Sequence, residues 1–171
     1  QEKLKIESEL QNLVKEAAGN YTAYIVLPFD NKNITEMLEP IPHEKLFLLD
    51  RWPRFYKNKY IGVYQDFYSD IINALNPFAS EIEKYKKLVM VFRDLLTEVP
   101  TELLEGFEEF CYQNKIEYEI VKKALPMAEI EKNVAYLTID DNDLVNLIEK
   151  ANKQNWEIGK DLGILSYNDT P

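Results

Sequence analysis

The chain has few of the residues on which many familiar functional motifs depend. Its 171 residues include one cysteine, one histidine and five glycines. A single cysteine, Cys111, rules out an intramolecular disulfide and fits a reducing compartment. The glycines form neither a phosphate-binding loop nor a dinucleotide fingerprint. The chain therefore lacks the commonest nucleotide-binding motifs.

The lone histidine, His43, limits catalytic and metal chemistry. A Ser-His or Cys-His catalytic set would have to use it, yet the chain has no G-x-S-x-G elbow. His43 lies between prolines and charged residues, so we interpret it as a surface loop residue. Zinc would lack nitrogen and sulfur ligands, and the acidic run 140–143 lacks the glycine and distal glutamate of a calcium loop. We therefore expect no metal, no cofactor and no enzymatic activity.

Long hydrophobic runs are also missing. No stretch approaches the roughly 18 apolar residues of a membrane span, and the first ten residues lack the apolar core of a signal peptide. We therefore expect a cytoplasmic protein with no membrane partner. The formal net charge is −10, and so acidic a surface repels phosphate backbones. If the protein regulates genes, DNA is contacted only through a domain outside this chain.

What is present is a regular alternation of helical and strand patterns. Apolar residues make up 46% of the chain, which is enough for a core without a disulfide or metal. Three- and four-residue spacing predicts helices at about 3–18, 33–38, 67–75, 101–113, 127–132 and 143–152. Runs rich in β-branched and aromatic residues predict strands at 21–29, 46–50, 60–64, 87–92, 116–121, 134–139 and 162–167. This order predicts the α/β class, with parallel sheets flanked by helices on both faces.

The pattern is interrupted once, at Asn76-Pro77, and a polar stretch follows. We therefore expect two lobes: an N-terminal lobe at 1–78, an interlobe stretch at 79–86 and a C-terminal lobe at 87–171. The first element is a helix and the last is a strand, so we expect both lobes to be partial.

Polar and aromatic residues are concentrated where the predicted strands end. Ligands of open parallel sheets bind beyond the carboxyl ends of the strands. Asp, Asn and Arg side chains suit sugar hydroxyls, and aromatic rings stack on sugar faces. The same Asp and Asn residues are also typical helix caps and turn formers. For any single residue both interpretations stay open.

Several segments resemble one protein family. Residues 158–171, IGKDLGILSYNDTP, resemble the signature VP-x-D-I-x-V-I-G-Y-D-D-T of LacI/GalR-type regulators and their periplasmic-binding-protein-like sensor domains. LFLLDR (46–51), VYQDFYSDIINAL (63–75) and LEGFEEF (104–110) resemble further family segments, in the same order. The resemblance implies a two-lobed, type I periplasmic-binding-protein-like fold that is truncated at both ends. It also implies a homodimer and a monosaccharide or related effector bound between the lobes.

The resemblance also assigns site residues. By position, Asp66, Asp140 and Asn168 match family residues that hold the effector's hydroxyls, and Trp52 or Phe67 would supply a stacking face. The arginine that usually clamps the ligand is replaced by Leu103. Either Arg93 substitutes for it or the ligand differs.

We expect the effector-binding and dimerisation domain of a bacterial transcriptional regulator, of the kind fused behind a GntR-type winged helix. One alternative is an exported solute-binding protein for sugar import, which shares the fold. A second is a carbohydrate-active enzyme that uses Glu98, Glu102 or Asp140 as its carboxylates. A signal peptide in the gene would favour the first alternative, and turnover lost on amide substitution would favour the second.

Overall fold

A computed structural model describes residues 2–28, 31–51, 54–92 and 99–168, and it describes side chains from residue 7 onward. The helices in these ranges are α1 (Glu2–Ala17), α2 (Ile34–Leu38), α3 (Phe67–Leu75), α4 (Ala79–Ile82), α5 (Thr101–Asn114) and α6 (Asp141–Gln154). The strands are β1 (Tyr24–Val26), β2 (Leu46–Asp50), β3 (Ile61–Tyr64), β4 (Leu88–Val91), β5 (Tyr118–Val121), β6 (Ala135–Thr138) and β7 (Gly163–Ser166). Contacts divide the chain into two compact units, Gln1–Gln65 and Asp66–Pro171.

The first unit is a parallel sheet with strand order β1-β2-β3. Alternate residues of its strands point to one face, where Leu46 and Leu48 pack with Val14 of α1 and with Ile34 and Leu38 of α2. Connections between parallel strands need a crossover, and the crossover from β1 to β2 carries α2 on this face. One side of the sheet is thus buried under helices.

The other face of this sheet is apolar and exposed. The register pairs Ile25 with Phe47 and Phe47 with Ile61, and it pairs Leu49 with Val63. These five side chains share the face opposite the core, because paired residues of parallel strands point to the same side. Ile25 and Val63 are 67% and 72% exposed. Parallel sheets are normally covered on both faces, so this face departs from the usual pattern.

The second unit is a four-stranded parallel sheet with order β5-β4-β6-β7. Its central strands β4 and β6 are buried along their whole length, which is typical of strands with both faces covered. Helices α3 and α5 cover one face, where Leu88 and Met90 point. Helix α6 covers the other face through Leu147 and Ala151, which pack with Tyr136. Cys111 lies in the first of these cores, and burial raises the pKa of its thiol to about 12.

Helices α3 and α5 approach each other closely at Gly106. A Cβ built on Gly106 would lie 2.5 Å from the Tyr68 carbonyl oxygen and 2.5 Å from Ile71 Cγ2. The absent side chain therefore lets the two helix backbones pack together. This contact ties α3 to the second unit, together with Phe107 and Phe110 of α5.

The division between the units differs from the boundary expected at 79–86. Asn76-Pro77 does not interrupt the chain but begins a 3-10 turn, Asn76–Phe78, that leads into α4. Proline is tolerated in the first turn of a helix because its missing N–H is not needed there. Ile82 of α4 is buried in the same core as α3 and α5. The stretch expected to join two lobes is therefore part of the second unit.

The predicted α/β class with parallel sheets is confirmed, and most of the predicted elements are present within one or two residues. Two are shorter than expected. The helix expected at 127–132 is only a 3-10 turn, Met127–Glu129, because Ile130 adopts extended backbone angles. The strand expected at 21–29 is reduced to Tyr24–Val26.

Candidate functional site

The carboxyl ends of β6 and β7 place the predicted site residues of the second unit side by side. Thr138, the last residue of β6, pairs with Ser166, the last residue of β7. The chain then continues to Asp140 from β6 and to Asn168 from β7. Beyond the strands the pairing is extended by a hydrogen bond from the Tyr167 backbone N–H to the Thr138 carbonyl, at 2.9 Å.

Asp140 and Asn168 are linked through the backbone between them. The Asn168 side-chain Nδ2 donates to the carbonyl of Ile139, the residue before Asp140, at 2.9 Å. The Asn168 carbonyl accepts from Ser166 Oγ at 2.8 Å. Asn168 therefore holds its own loop against the loop that carries Asp140. The structure brings these two predicted residues to one edge of one sheet.

Asp140 is also the N-cap of α6. Its Oδ1 accepts from the backbone N–H of Asn142 at 2.8 Å and from the Asn142 side-chain amide at 2.8 Å. An Asp at this position satisfies an unpaired helix N–H and interacts favourably with the positive end of the helix dipole. The capping interpretation of Asp140 is thus supported by geometry. A capping carboxylate keeps lone pairs that can accept further hydrogen bonds.

Asp66 caps α3 in the same way. Its Oδ1 accepts from the backbone N–H of Ser69 at 3.1 Å, and hydrogen bonds from Ser69 lower the pKa of this fully exposed carboxyl. A helix in an α/β fold usually runs antiparallel to the strand that follows it, so we expect the N-terminus of α3 on the side of the strands' carboxyl ends. The lowered pKa keeps the exposed Asp66 carboxyl ionised near neutral pH.

Of the aromatic and cationic candidates, Phe67 alone lies within the described residues. Phe67 is 8% exposed and belongs to the core of the second unit, so its ring packs against protein. Trp52 and Arg93 lie outside the described residues. Glu98, one carboxylate of the enzymatic alternative, also lies outside them. Of the predicted ligand-binding residues, the described geometry therefore bears on Asp66, Phe67, Asp140 and Asn168.

The sequence did not indicate a role for two polar residues near this edge, Thr138 and Asp143. Thr138 is 1% exposed, and its Oγ1 has no hydrogen-bond partner among the described residues. Asp143, in the first turn of α6, is fully buried and accepts from the Leu125 backbone N–H at 3.1 Å. Asp143 thereby fixes the loop after β5 to α6. Neither position is distinguishable in sequence from an ordinary strand threonine or a helix-initiating aspartate.

In the first unit, one residue at the carboxyl end of β2 has an unusual backbone conformation. Asp50 has a φ of +76°, a left-handed conformation that residues other than glycine seldom adopt. Arg51 Nε lies 3.8 Å from its Oδ2. Asp50 and Arg51 stand where the strand predicted at 46–50 ends, but the backbone conformation has no sequence signal beyond the tolerance of Asp for this region.

The three predicted polar residues of the second unit offer hydrogen-bond acceptors and one amide donor. Among the residues that the structure describes, no group of three or more His, Cys, Asp or Glu side chains is arranged to hold a metal ion. At the carboxyl edge, carboxylate oxygens of Asp66 and Asp140 can accept, and the Asn168 amide can both donate and accept. That combination matches hydroxyl groups, which do both.

Comparison with solved structures shows which proteins share this fold. The chain is similar to a sugar-binding transcriptional regulator of the LacI family from Escherichia coli, complexed with phosphate, with a TM-score of 0.73, 13% identity, and coverage of 96% of this chain and 63% of that one. It is similar to a probable maltose operon transcriptional repressor from Staphylococcus aureus, with a TM-score of 0.65, 18% identity, and coverage of 97% and 62%. It is also similar to a myo-inositol binding protein from Caulobacter bound to myo-inositol, with a TM-score of 0.69, 13% identity, and coverage of 96% and 62%.

These similarities establish a fold, that of LacI-family sensor domains and periplasmic-binding-protein-like proteins. The chain spans less than two thirds of the length of each of these structures. No protein-family model matches it, and no curated protein matches it significantly by sequence. In the described part of the chain, none of the helices has the length and apolar character to cross a membrane.

Proposed function

We propose that the chain is part of the effector-binding domain of a bacterial transcriptional regulator of LacI type, and that the effector is a monosaccharide or a related polyol. The observation that carries the proposal is the hydrogen bond from the Asn168 side chain to the carbonyl of Ile139, the residue before Asp140, at the carboxyl edge of a parallel sheet, in a fold shared with sugar-binding regulators. Hydroxyl recognition needs such convergent donors and acceptors on a rigid frame.

In this proposal Asp66, Asp140 and Asn168 bind hydroxyl groups. Trp52 or Phe67 supplies an aromatic contact, and Arg93 replaces the clamping arginine that the family has where this chain has Leu103. The buried position of Phe67 favours Trp52 for the aromatic role. Effector binding shifts the equilibrium between two conformations by its difference in affinity for them.

The regulator is further proposed to be a cytoplasmic homodimer that binds DNA through a domain outside these 171 residues. The net charge of −10 supports that division, because this acidic part is unsuited to phosphate backbones. The similar Escherichia coli regulator belongs to the LacI family, which favours a LacI-type protein over the GntR-type winged-helix fusion that we expected from the sequence.

A second candidate function is solute binding for import. It is favoured by the similarity to the myo-inositol binding protein, whose TM-score of 0.69 is close to the 0.73 of the Escherichia coli regulator. The two candidates differ in export and in DNA binding, and not in the ligand site. An export signal in the gene would favour the binding protein, and a basic DNA-binding domain would favour the regulator.

Both candidate functions require that the protein bind a sugar or polyol. Calorimetric titration with a panel of such compounds, including maltose and myo-inositol, tests this requirement. We expect one member of the panel to bind saturably, and Asn168→Ala to weaken it about tenfold or more, as expected when a buried polar contact of a ligand is lost. Asn152→Ala, an exposed change on α6, is the matched control and should leave the affinity unchanged. Saturable binding that survives both Asn168→Ala and Asp140→Ala would place the ligand elsewhere and refute the proposed site.

A further inference from the structure

The amino-terminal edge of the first sheet carries a cavity that the proposed function does not use. Its volume is about 490 Å³, within the range of small-ligand pockets. It is formed by the segment before β2, which includes His43, and by the segment before β3, which includes Lys57 and Lys59. Both segments precede their strands, so this cavity lies at the edge of the sheet opposite its carboxyl ends.

The charge at this cavity is opposite to that of the chain as a whole. The protein has 30 acidic and 20 basic residues, yet two lysines, Lys57 and Lys59, line the cavity with a single carboxylate, Glu39. The His43 ring, which also lines it, lies 3.4 Å from the Glu44 carboxylate. Among the described residues, neither Lys57 nor Lys59 takes part in an ion pair. Two such lysines in an acidic protein create a local positive potential that concentrates anions.

The segment that presents the lysines is held in a fixed conformation. Thr35 Oγ1 donates to the Phe55 carbonyl at 3.0 Å and accepts from the Lys57 backbone N–H at 3.0 Å. The Tyr56 ring is buried and packs edge-on against Tyr60, with ring centroids 5.7 Å apart. A charged group on a fixed backbone loses less entropy when a ligand binds than one on a mobile loop.

The cavity also has an apolar floor and uncharged donors. The buried residues Ile41 and Tyr56 belong to its lining, and the Asn58 amide and the Tyr56 hydroxyl are uncharged donors. Cations at the rim and a carbon surface below suit a small organic anion better than a bare ion, because the carbon skeleton gains contact area.

We propose that this cavity is a second binding site, distinct from the carboxyl-edge site, for a small organic anion that carries phosphate or carboxylate groups. Lys57 and Lys59 bind the anionic groups, and Ile41 and Tyr56 contact the carbon skeleton. The proposal does not depend on the sugar-binding function, because the two sites belong to different sheets and use different residues.

The test is an NMR titration of the isotope-labelled 171-residue chain at constant ionic strength. The probes are glucose 6-phosphate and citrate, with glucose as the uncharged control. We expect saturable shifts at the amides of Tyr56 and Asn58 with at least one anion and none with glucose. The two anions separate a phosphate site from a carboxylate site, and a response to either supports the proposal.

Variants of Lys57 and Lys59 test whether these two lysines bind the anion. Lys57→Ala/Lys59→Ala should weaken binding about tenfold or more, while Lys57→Arg/Lys59→Arg should retain it. Lys84→Ala/Lys153→Ala removes the same charge from two exposed positions of the second unit and should change the affinity less than about twofold. Shifts that never saturate, or equal weakening by the two alanine pairs, would mean general ion screening and would overturn the proposal. If Lys57→Arg/Lys59→Arg still binds the anion, the weaker binding of the alanine pair reflects the lost charge and not misfolding.

Discussion

Gln65 donates two hydrogen bonds to Asp50. Its backbone N–H donates to the Asp50 carbonyl at 3.0 Å, and its side-chain Nε2 donates to Asp50 Oδ1 at 2.8 Å. Asp50 ends β2 with a φ of +76°, and Gln65 is the last residue of the first unit. The pair therefore joins a strained strand end to the residue that leads into the second unit. Such strain persists only where surrounding contacts hold it.

The first prediction concerns Asp50. Asp50→Ala removes the acceptor and places a less tolerant residue in the left-handed region, so we expect a loss of roughly 2 kcal/mol in the free energy of unfolding. Asp50→Gly removes the same acceptor but tolerates the left-handed backbone conformation. Asp50→Asn keeps a side-chain acceptor for Gln65 and also tolerates that conformation. The expected order of stability in urea unfolding is Asn above Gly above Ala. Equal losses for Gly and Ala would show that the backbone conformation contributes nothing.

The second prediction concerns the close approach of α3 and α5. In an exposed helix, Gly→Ala stabilises by up to about 1 kcal/mol. Gly106→Ala should instead destabilise by about 1–3 kcal/mol, because the new Cβ meets the Tyr68 carbonyl and Ile71. Glu105→Ala, an exposed neighbour on the same helix, should stay within about 0.5 kcal/mol. A stabilised Gly106→Ala variant, measured by thermal or urea unfolding, would refute the tight packing.

Periodicity was sufficient to predict the elements whose pattern is set locally. Phe67–Leu75 and Leu46–Asp50 were predicted to the residue, because each has a clear apolar pattern and an abrupt polar flank. The division between the units could not be predicted, since it depends on the contact of Gly106 with Tyr68 across 38 residues of sequence. A break at Asn76-Pro77 is locally reasonable, yet the packing of Ile82 overrides it.

For the candidate site, the sequence predicts which residues share an edge of the sheet but not the features that depend on packing. The rule that parallel strands end at one edge correctly brings Asp140 and Asn168 together. Thr138 lacks a hydroxyl partner among the described residues, and Asp143 is buried. Both features depend on how α6 lies on the sheet, which residue type alone does not encode. The left-handed conformation of Asp50 depends likewise on its bonds to Gln65.

The third prediction concerns pH and Asp66. Its pKa is lowered in the folded protein by hydrogen bonds from Ser69. A lowered folded pKa means that the carboxylate stabilises the fold above the unfolded pKa, near pH 4, and that this contribution is lost as the pH falls through the folded pKa. Asp66→Asn keeps a good N-cap but does not titrate. The melting temperature of the wild type should exceed that of Asp66→Asn at pH 6, and the difference should shrink below pH 4. A difference that is constant from pH 6 to pH 2.5 would contradict this assignment.

The fourth prediction concerns the exposed apolar face of the first sheet, formed by Ile25, Phe47, Leu49, Ile61 and Val63. Monomers rarely leave contiguous apolar patches beyond a few hundred Å² uncovered, so we expect the 171-residue chain to bind a hydrophobic dye and to self-associate at high concentration. Ile25→Thr/Val63→Thr keeps the β-branched shape that strands favour and should reduce both effects.

The same double variant distinguishes an exposed face from a covered one. Ile25 and Val63 are mostly in contact with solvent, so Ile25→Thr/Val63→Thr should change the free energy of unfolding by no more than about 1 kcal/mol. Leu48→Thr, on the buried face of the same sheet and 1% exposed, is the control and should cost about 2–5 kcal/mol, because it loses apolar burial and leaves a hydroxyl in the core. Light scattering and urea unfolding at two protein concentrations measure both quantities. A comparable cost for the exposed pair, independent of protein concentration, would mean that this face is buried within the folded chain, contrary to the structure.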